Sequence, residues 1–229
     1  EGCAVVGMMN MNRFKSRAKD GVRRLEQEWW EVLATRNVDV VMMADAGLHA
    51  GPKKDGHVDT AFKAGKVLAT AKRSWGGDNM AWAVGMGMQG AWDERHRIGG
   101  VAMGMVESWK YRANGGQPFV DKRGWGRWVG KWLFGVQGHR VLFVTLYLPV
   151  RTGKGLSTMW NIQQRAIEEQ HLPQTNPRRL ALHDLHEALL PLVTGRKPVE
   201  LIMGGDWNMK WKGVAGGHLL DSLQGWAES

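Results

Sequence analysis

The sequence predicts an α/β layered fold. Three observations point to it: a strand–helix–strand opening, one long strand apolar on both faces, and two amphipathic helices leading into a further apolar strand. A strand covered on both faces belongs to the interior of layered sheets.

Residues 2–12, GCAVVGMMNMN, read as a buried strand ending in two asparagines. Asp20 is placed to cap a helix in which Val22, Leu25, Trp29 and Val32–Leu33 recur at helical spacing. After Asn37 a second strand, VDVVMMADAG, stays apolar until Asp45 and Gly47. This is the pattern of a βαβ unit, although a pattern alone does not make the two strands parallel. Residues 49–80 are polar and rich in Lys and Gly, a long loop with room for one short element. Residues 80–88 and 99–107 form two glycine-studded strands, whose glycines mark bends or close backbone packing. Residues 110–132 interleave basic residues, tryptophan and glycine. They read either as a nucleic-acid contact surface or as a solvated β-hairpin whose rings pack on their own strand. HRVLFVTLYLPV, residues 139–150, is the strongest strand and is ended by Pro149. One helix follows over roughly residues 157–170. A second opens on Asn176-Pro177 and sets Leu182, Leu185, Leu189 and Leu192 on one face. Residues 199–203 then make a strand that runs into Gly204, Gly205, Asp206, Trp207 and Asn208.

The 229 residues fit one domain, 1–229, or a truncated larger one, with ample length for a core. Hydrophobic residues at 43% and charged residues at 23% are the composition of a globular domain. No run of about 18 uncharged apolar residues predicts a membrane span, so no membrane partner is expected. The chain opens Glu-Gly-Cys, from which no targeting peptide can be read. Cys3 is the only cysteine, which excludes an internal disulfide and a cysteine-based zinc site and fits an intracellular compartment.

The net charge is +9 with a pI near 9.9, and 13 tryptophans stand beside two tyrosines. Cations for phosphates and planar rings for bases are what a nucleic-acid surface needs. Arg13, Lys122, Arg123, Trp125, Arg127 and Trp128 are the candidate contacts to DNA or RNA. The same counts also describe tryptophans that fill a core and charge that keeps a protein in solution.

Three apolar strands end in polar residues: Asn10 and Asn12, Asp45, and Asp206 with Asn208. A fourth places Tyr147 just before its terminating proline. A turn explains any one of these endings. Strands packed side by side bring their ends together, however, so the four can converge on one shallow site. Carboxylate and amide oxygens suit a hard cation such as Mg²⁺ (or Mn²⁺), which takes one or two carboxylates and keeps several waters. A second carboxylate can hold a water for in-line attack on phosphorus while the metal draws off developing charge.

In order and spacing these endings resemble the endonuclease/exonuclease/phosphatase superfamily, which includes apurinic endonucleases, non-LTR retrotransposon endonuclease domains and DNase I-like phosphoesterases. MMNMNRF is similar to its first-strand motif, and VDVVMMADAG to its second strand, which usually carries Gln-Glu. GGVAMGM resembles its Gly-Gly-Val strand, VTLYLPV its Tyr-x-Pro strand, and IMGGDWN its Gly-Gly-Asp-Phe-Asn strand. The resemblance implies a four-layered α/β sandwich with the site at the strand ends. It implies Asp45 as the metal-ligand position, supported by Asn10. Asp206 would orient the attacking water, Asn208 would hold the phosphate or that aspartate, and Tyr147 would contact the scissile phosphate or the leaving oxygen. Asn12 stands where some relatives have Asp.

The sequence also departs from that pattern. Asp45 replaces Glu and reaches about 1.5 Å less, by one carbon–carbon bond. Ala44 replaces Gln. The family's closing strands carry an Asp and a terminal Ser-Asp-His, which this chain lacks; relative to that pattern the domain is incomplete at its C-terminus. In the family that histidine binds and neutralises the phosphate, and losing such a donor costs a few kcal/mol of barrier. His183 and His186 share a helix face at i,i+3, half of a metal site or an exposed pair. His49 and His57 flank the loop after Asp45, and Asp221 follows Asp206 too closely to match a late family aspartate.

The implied activity is Mg²⁺-dependent hydrolysis of nucleic-acid phosphodiesters. The alternatives are a catalytically impaired nuclease-fold module, binding nucleic acid or other protein subunits within a larger assembly, and a phosphatase of small phosphate esters.

Overall fold

Two short apolar strands, β1 (Val6–Asn10) and β2 (Val40–Ala44), lie side by side in parallel, with helix α1 (Val22–Thr35) joining them. The opening βαβ reading therefore holds. The structure is a computed structural model that describes residues 3–11, 22–47, 51–52, 58–59, 71–76, 80–85, 99–113, 116–151, 158–173, 176–195 and 199–208. Asp20, Asn12, Arg13, His49, His57 and Asp221 lie outside the described residues.

The remaining elements are β3 (Gly51–Pro52), β4 (Val58–Asp59), β5 (Met80–Gly85), β6 (Val101–Val106), α2 (Glu107–Ala113), β7 (Phe119–Val120) and β8 (Trp128–Phe134). They are followed by β9 (Arg140–Tyr147), α3 (Met159–Glu169), α4 (Pro177–Val193) and β10 (Glu200–Asp206). One sheet has the order β1-β2-β6-β5 and the other β10-β9-β8-β7, while β3 and β4 pair only with each other.

Alternation along the central strands sets the layers. Val41 and Met43 of β2 pack on Trp30 and Leu33 of α1. Val40 and Met42 face the opposite way, in a cluster with Leu133 of β8 and Phe143 of β9. The other face of β9, Leu142, Val144 and Leu146, packs on Ala181, Leu182, Leu185 and Leu189 of α4. The result is helix, sheet, sheet, helix: the four-layered α/β sandwich. Both faces of β2 and β9 are covered, so their buried runs are apolar, Thr145 of β9 excepted. Each such apolar side chain stabilises the fold by about 1.5–3 kcal/mol through burial.

Local chemistry fixes the helix that approaches the site. The Asn176 Oδ1 accepts from the backbone N–H groups of Arg178 (2.9 Å) and Arg179 (3.3 Å), and Pro177 needs no acceptor. The basic segment, read either as a nucleic-acid contact surface or as a hairpin, is divided. Residues 110–113 belong to α2, because Trp109 and Ala113, one helical turn apart, both pack against Leu133.

Among the described tryptophans Trp30, Trp125 and Trp128 are buried, and Trp29 is exposed. Trp30, Trp75 and Trp82 form one cluster, with Trp30 and Trp75 stacked at 6.0 Å and Trp82 edge-on to both. The Trp75 indole N–H donates to the Val38 carbonyl at 2.9 Å. Among the described residues no helix is long and apolar enough to cross a membrane.

Candidate active site

The C-terminal ends of β1 and β10 meet although they are 196 residues apart, and Asn10 Nδ2 donates to Asp206 Oδ2 at 2.6 Å. The other carboxylate oxygen of Asp206 accepts from the Asn208 backbone N–H at 3.0 Å. Asp206 is thus held from both sides, which fixes its direction.

The glycines before it have a packing reason. A Cβ on Gly204 would meet the Met8 methyl at 2.6 Å and the Met42 sulfur at 2.7 Å, where β10 crosses the other sheet. Gly205 has φ +133°, and a Cβ there would lie 2.0 Å from the Leu146 carbonyl oxygen. The two glycines let the strand bring Asp206 against both neighbouring ends.

Tyr147 pairs in register with Asp206 across the parallel β9–β10 ladder. Its ring packs on Ala83, Val101 and Val129, and its N–H donates to the Arg127 carbonyl at 2.8 Å. The next residue is tied to β10 twice. The Leu148 N–H donates to the Asp206 carbonyl at 2.9 Å, and Asn208 Nδ2 donates to the Leu148 carbonyl at 2.8 Å. The Asn208 amide thus secures the Tyr-x-Pro turn, while its backbone orients Asp206.

Asp45 sits one residue beyond Ala44, the partner of Asn10 in the β1–β2 register. It has φ +46°, a left-handed turn conformation that Asp tolerates better than most residues, and the residue as a whole is 8% exposed. Oδ1 accepts from the Gly99 N–H at 3.2 Å, while Ala46 N–H bonds to the Gly100 carbonyl, so the Gly-Gly turn before β6 braces this corner. Turn chemistry and site chemistry coincide at Asp45 and at Asn208, whose φ is +48°.

Sequence reasoning missed Arg178. It lies in the first turn of α4, and its Nη2 donates to the Pro149 carbonyl at 3.1 Å, on the turn that Asn208 secures. Burial lowers the pKa of this guanidinium, and the negative charge of Asp206 works in the opposite direction. A signal was present in Asn-Pro-Arg-Arg: two cations in a helical first turn oppose the helix dipole, a local conflict that marks functional positions.

The basic-aromatic segment needs correcting. Trp125, Arg127 and Trp128 are 4%, 1% and 1% exposed, so they face the interior and not a nucleic acid. Arg127 donates to both oxygens of Asp121 at 2.7 Å and reaches Asp184 of α4 at 2.8 Å. The rings of Trp125 and Trp128 lie 5.0 and 4.6 Å from its guanidinium carbon. A cation buried this deeply needs carboxylate partners, and the sequence supplied them far away at Asp184. Lys122 is exposed, whereas Arg123 is half-buried and bidentate to Asp184. α2, with its exposed Tyr111 and Arg112, follows the C-terminal end of β6, at the opposite end of the sheets from Asn10.

His183 is exposed, with Nδ1 3.8 Å from Asp184 Oδ1. Among the described residues no three His, Cys, Asp or Glu side chains form a group that could hold a metal ion. A cation at the strand ends would therefore rest on Asp45, an amide oxygen and water. Those are hard oxygen donors, and the set fits Mg²⁺ in kind.

No protein-family model matches the sequence, and no curated protein matches it. Solved structures do. An endonuclease/exonuclease/phosphatase family protein from Leptotrichia buccalis matches at 10% identity and TM-score 0.41, covering 82% of this chain and 75% of that one. One from Beutenbergia cavernae matches at 14% and 0.47, covering 97% and 52%. An AP endonuclease from Archaeoglobus fulgidus matches at 13% and 0.42, covering 90% and 58%. The chain spans little more than half the length of the last two. Two of these three structures are of endonuclease/exonuclease/phosphatase proteins.

Proposed function

We propose that this chain is a divalent-metal-dependent phosphodiesterase domain that hydrolyses nucleic-acid backbones. The observation that carries the reading is the Asn10–Asp206 hydrogen bond, which joins the first and last polar strand endings into one group. A core turn has no need of a carboxylate aligned by a distant amide.

In this reading Asp206 orients the attacking water and accepts its proton, since both of its oxygens retain lone pairs beyond the bonds they accept. Asn10 holds that carboxylate in position. Tyr147, the register partner of Asp206 on β9, offers its phenol to the phosphate or the leaving oxygen. Asp45, with the Asn10 amide oxygen, would hold Mg²⁺ or Mn²⁺. Such an ion, when bound, offsets charge building on phosphorus. The net charge of +9 favours a polyanionic substrate over a small phosphate ester. Among the described residues Lys122 and Arg123, on the turn before β8, remain candidate contacts to DNA or RNA beside Arg13, which lies outside them, and other protein subunits fit as further partners.

One observation favours the second reading, an impaired module that binds without cutting. Asp45 is short and nearly buried, and one of its oxygens already accepts from Gly99. Nicking of supercoiled plasmid by purified chain separates the two. The enzyme reading expects cleavage with Mg²⁺ or Mn²⁺, its abolition by EDTA, and its loss in Asp206→Ala. Full activity in Asp206→Ala would remove the proposed mechanism, and plasmid binding without cleavage would establish the impaired module.

A further inference from the structure

We infer that the end of the sheets opposite Asp206 carries a second surface, made by α2 and the β8–β9 turn, that binds single-stranded nucleic acid. The inference concerns binding alone and stands whether or not the Asp206 site cuts.

The strand directions place this surface. β9 and β10 run parallel and reach Tyr147 and Asp206 together, so Arg140, which begins β9, lies at the far end. Phe134, the last residue of β8, is its register partner. The eight residues of β9 set Arg140 about 23 Å from Tyr147. α2 stands at this same end, because it follows β6, which is antiparallel to β2. Trp109 and Ala113 of α2 pack on Leu133, on one face of β8. The chain then crosses to the other face, where a Cβ on Gly116 would meet Trp132 Cδ1 at 3.0 Å. Three residues of chain span at most about 11 Å, so α2 and the outer face of the β8–β9 turn are neighbours.

This rim presents rings and cations together. Tyr111 is 66% exposed and Phe134 38%. The Arg112 guanidinium carbon lies 5.0 Å from the centre of the Trp109 ring, and that of Arg140 lies 6.0 Å from Trp132. Arg112 is exposed, and no carboxylate pairs with it among the described residues. Glu200 pairs in register with Val141, so it faces away from Arg140 and toward His139. The contrast is with Arg127, near the other end of β8, whose rings are buried and whose charge Asp121 and Asp184 offset.

The chemistry selects the ligand. Cations at the surface suit phosphates, and exposed ring faces suit bases that are not already stacked and paired. A duplex hides those base faces, so the rings favour a single strand. An apolar protein face would bury the cations beside the rings without counter-charge. A second copy of this chain would set the same cations against each other across a two-fold axis. Sites for single strands cover about 4–16 nucleotides, enough to run from α2 over the turn.

Two measurements test the surface, both on the full chain in EDTA, so that no metal-dependent cleavage intervenes. The first is fluorescence anisotropy of a labelled oligothymidylate of about 12 nucleotides. Tyr111→Ala is expected to weaken binding about 10-fold, and Tyr111→Phe, which keeps the ring, scarcely at all. Arg112→Gln and Arg140→Gln should each lower the slope of log affinity against log salt by about 0.7, the share of one phosphate contact on a single strand. The second needs no variant: ultraviolet cross-linking of a bromouracil-substituted oligonucleotide to wild type, read by mass spectrometry, should mark Tyr111, Trp132 or Phe134. Cross-links confined to the Asp206 end overturn the inference. Affinity and salt slope unchanged in Tyr111→Ala and Arg112→Gln overturn it too, and leave the phosphodiesterase reading intact. Tighter binding of a blunt duplex than of the single strand, indifferent to Tyr111→Ala, has the same consequence. So does a dimer seen by sedimentation that Tyr111→Ala dissociates while oligonucleotide affinity stays the same, since a second copy is then the occupant. Plasmid left uncut with Mg²⁺ by a wild type whose oligonucleotide binding falls in these variants overturns the hydrolytic reading and keeps the surface.

Discussion

Arg127 Nη2 lies 2.8 Å from Asp184 Oδ2, joining the turn before β8 to the second turn of α4. The bond matters to the site because the Arg127 carbonyl receives the Tyr147 N–H, while α4 carries Arg178. Removing Arg127 would leave Asp121, itself 6% exposed, as a buried carboxylate without a cation. Arg127→Met is therefore expected to lose about 3–5 kcal/mol of stability, the usual result of breaking a buried pair from one side. Asp184→Asn should lose less, about 1–3 kcal/mol, since Arg127 keeps Asp121. Urea unfolding of both variants checks the order; an Asp184→Asn loss exceeding that of Arg127→Met would refute it.

The same cluster makes stability depend on acid. Burial works against the Asp184 carboxylate, but hydrogen bonds from Arg123 and Arg127 and their charges prevail and hold its pKa below the ordinary value. A depressed carboxylate pKa stabilises the fold above the unfolded value, near 3.9, and that contribution disappears as pH falls through the folded value. The stability gap between wild type and Asp184→Asn should be full at pH 6 and shrink steadily below about pH 4. A gap of constant size from pH 6 to 3 would mean that Asp184 contributes through packing and not through its charge.

Gly205 separates the two glycines of the motif by cost. At Gly204 an added methyl meets the flexible ends of Met8 and Met42, which can shift. At Gly205 it meets the backbone of Leu146, and φ +133° is itself unfavourable for alanine. Gly205→Ala should cost about 2 kcal/mol or more, clearly exceeding Gly204→Ala. Thermal melts of the two variants give the comparison, and equal losses would contradict it.

What the sequence made legible follows from these contacts. Strand positions were readable because β2 and β9 are covered on both faces, so their apolar runs stop only where the sheet stops. That the polar endings would converge was readable from their recurrence, but not the way they do so, because Asn10 and Asp206 end strands of two different sheets. The contact surface was not readable. Arg127, Trp125 and Trp128 have the composition of a nucleic-acid patch, but their burial depends on Asp121 and on Asp184, 57 residues away. Local pattern does not reveal which carboxylate a cation will find. Arg178 was hidden for the complementary reason: the Pro149 carbonyl it meets lies just past the end of another element, β9.

The Asn10–Asp206 bond yields the most specific prediction. Asn10 is exposed, so Asn10→Ala should scarcely change the melting temperature while slowing nicking about 100-fold, the effect of losing one orienting hydrogen bond in a transition state. Asn10→Asp tests the geometry differently. It replaces a donor that stands 2.6 Å from Asp206 Oδ2 with a second carboxylate. Two carboxyl groups at that distance share a proton, which raises one pKa of the pair well above the ordinary range. Asp206 would then be protonated part of the time near neutrality and unable to accept a proton from water. The variant's nicking rate should climb with pH and level off near the Asn10→Ala rate, because an ionised carboxylate at position 10 cannot donate to Asp206. A pH profile parallel to that of wild type would show that positions 10 and 206 do not meet as the structure has them.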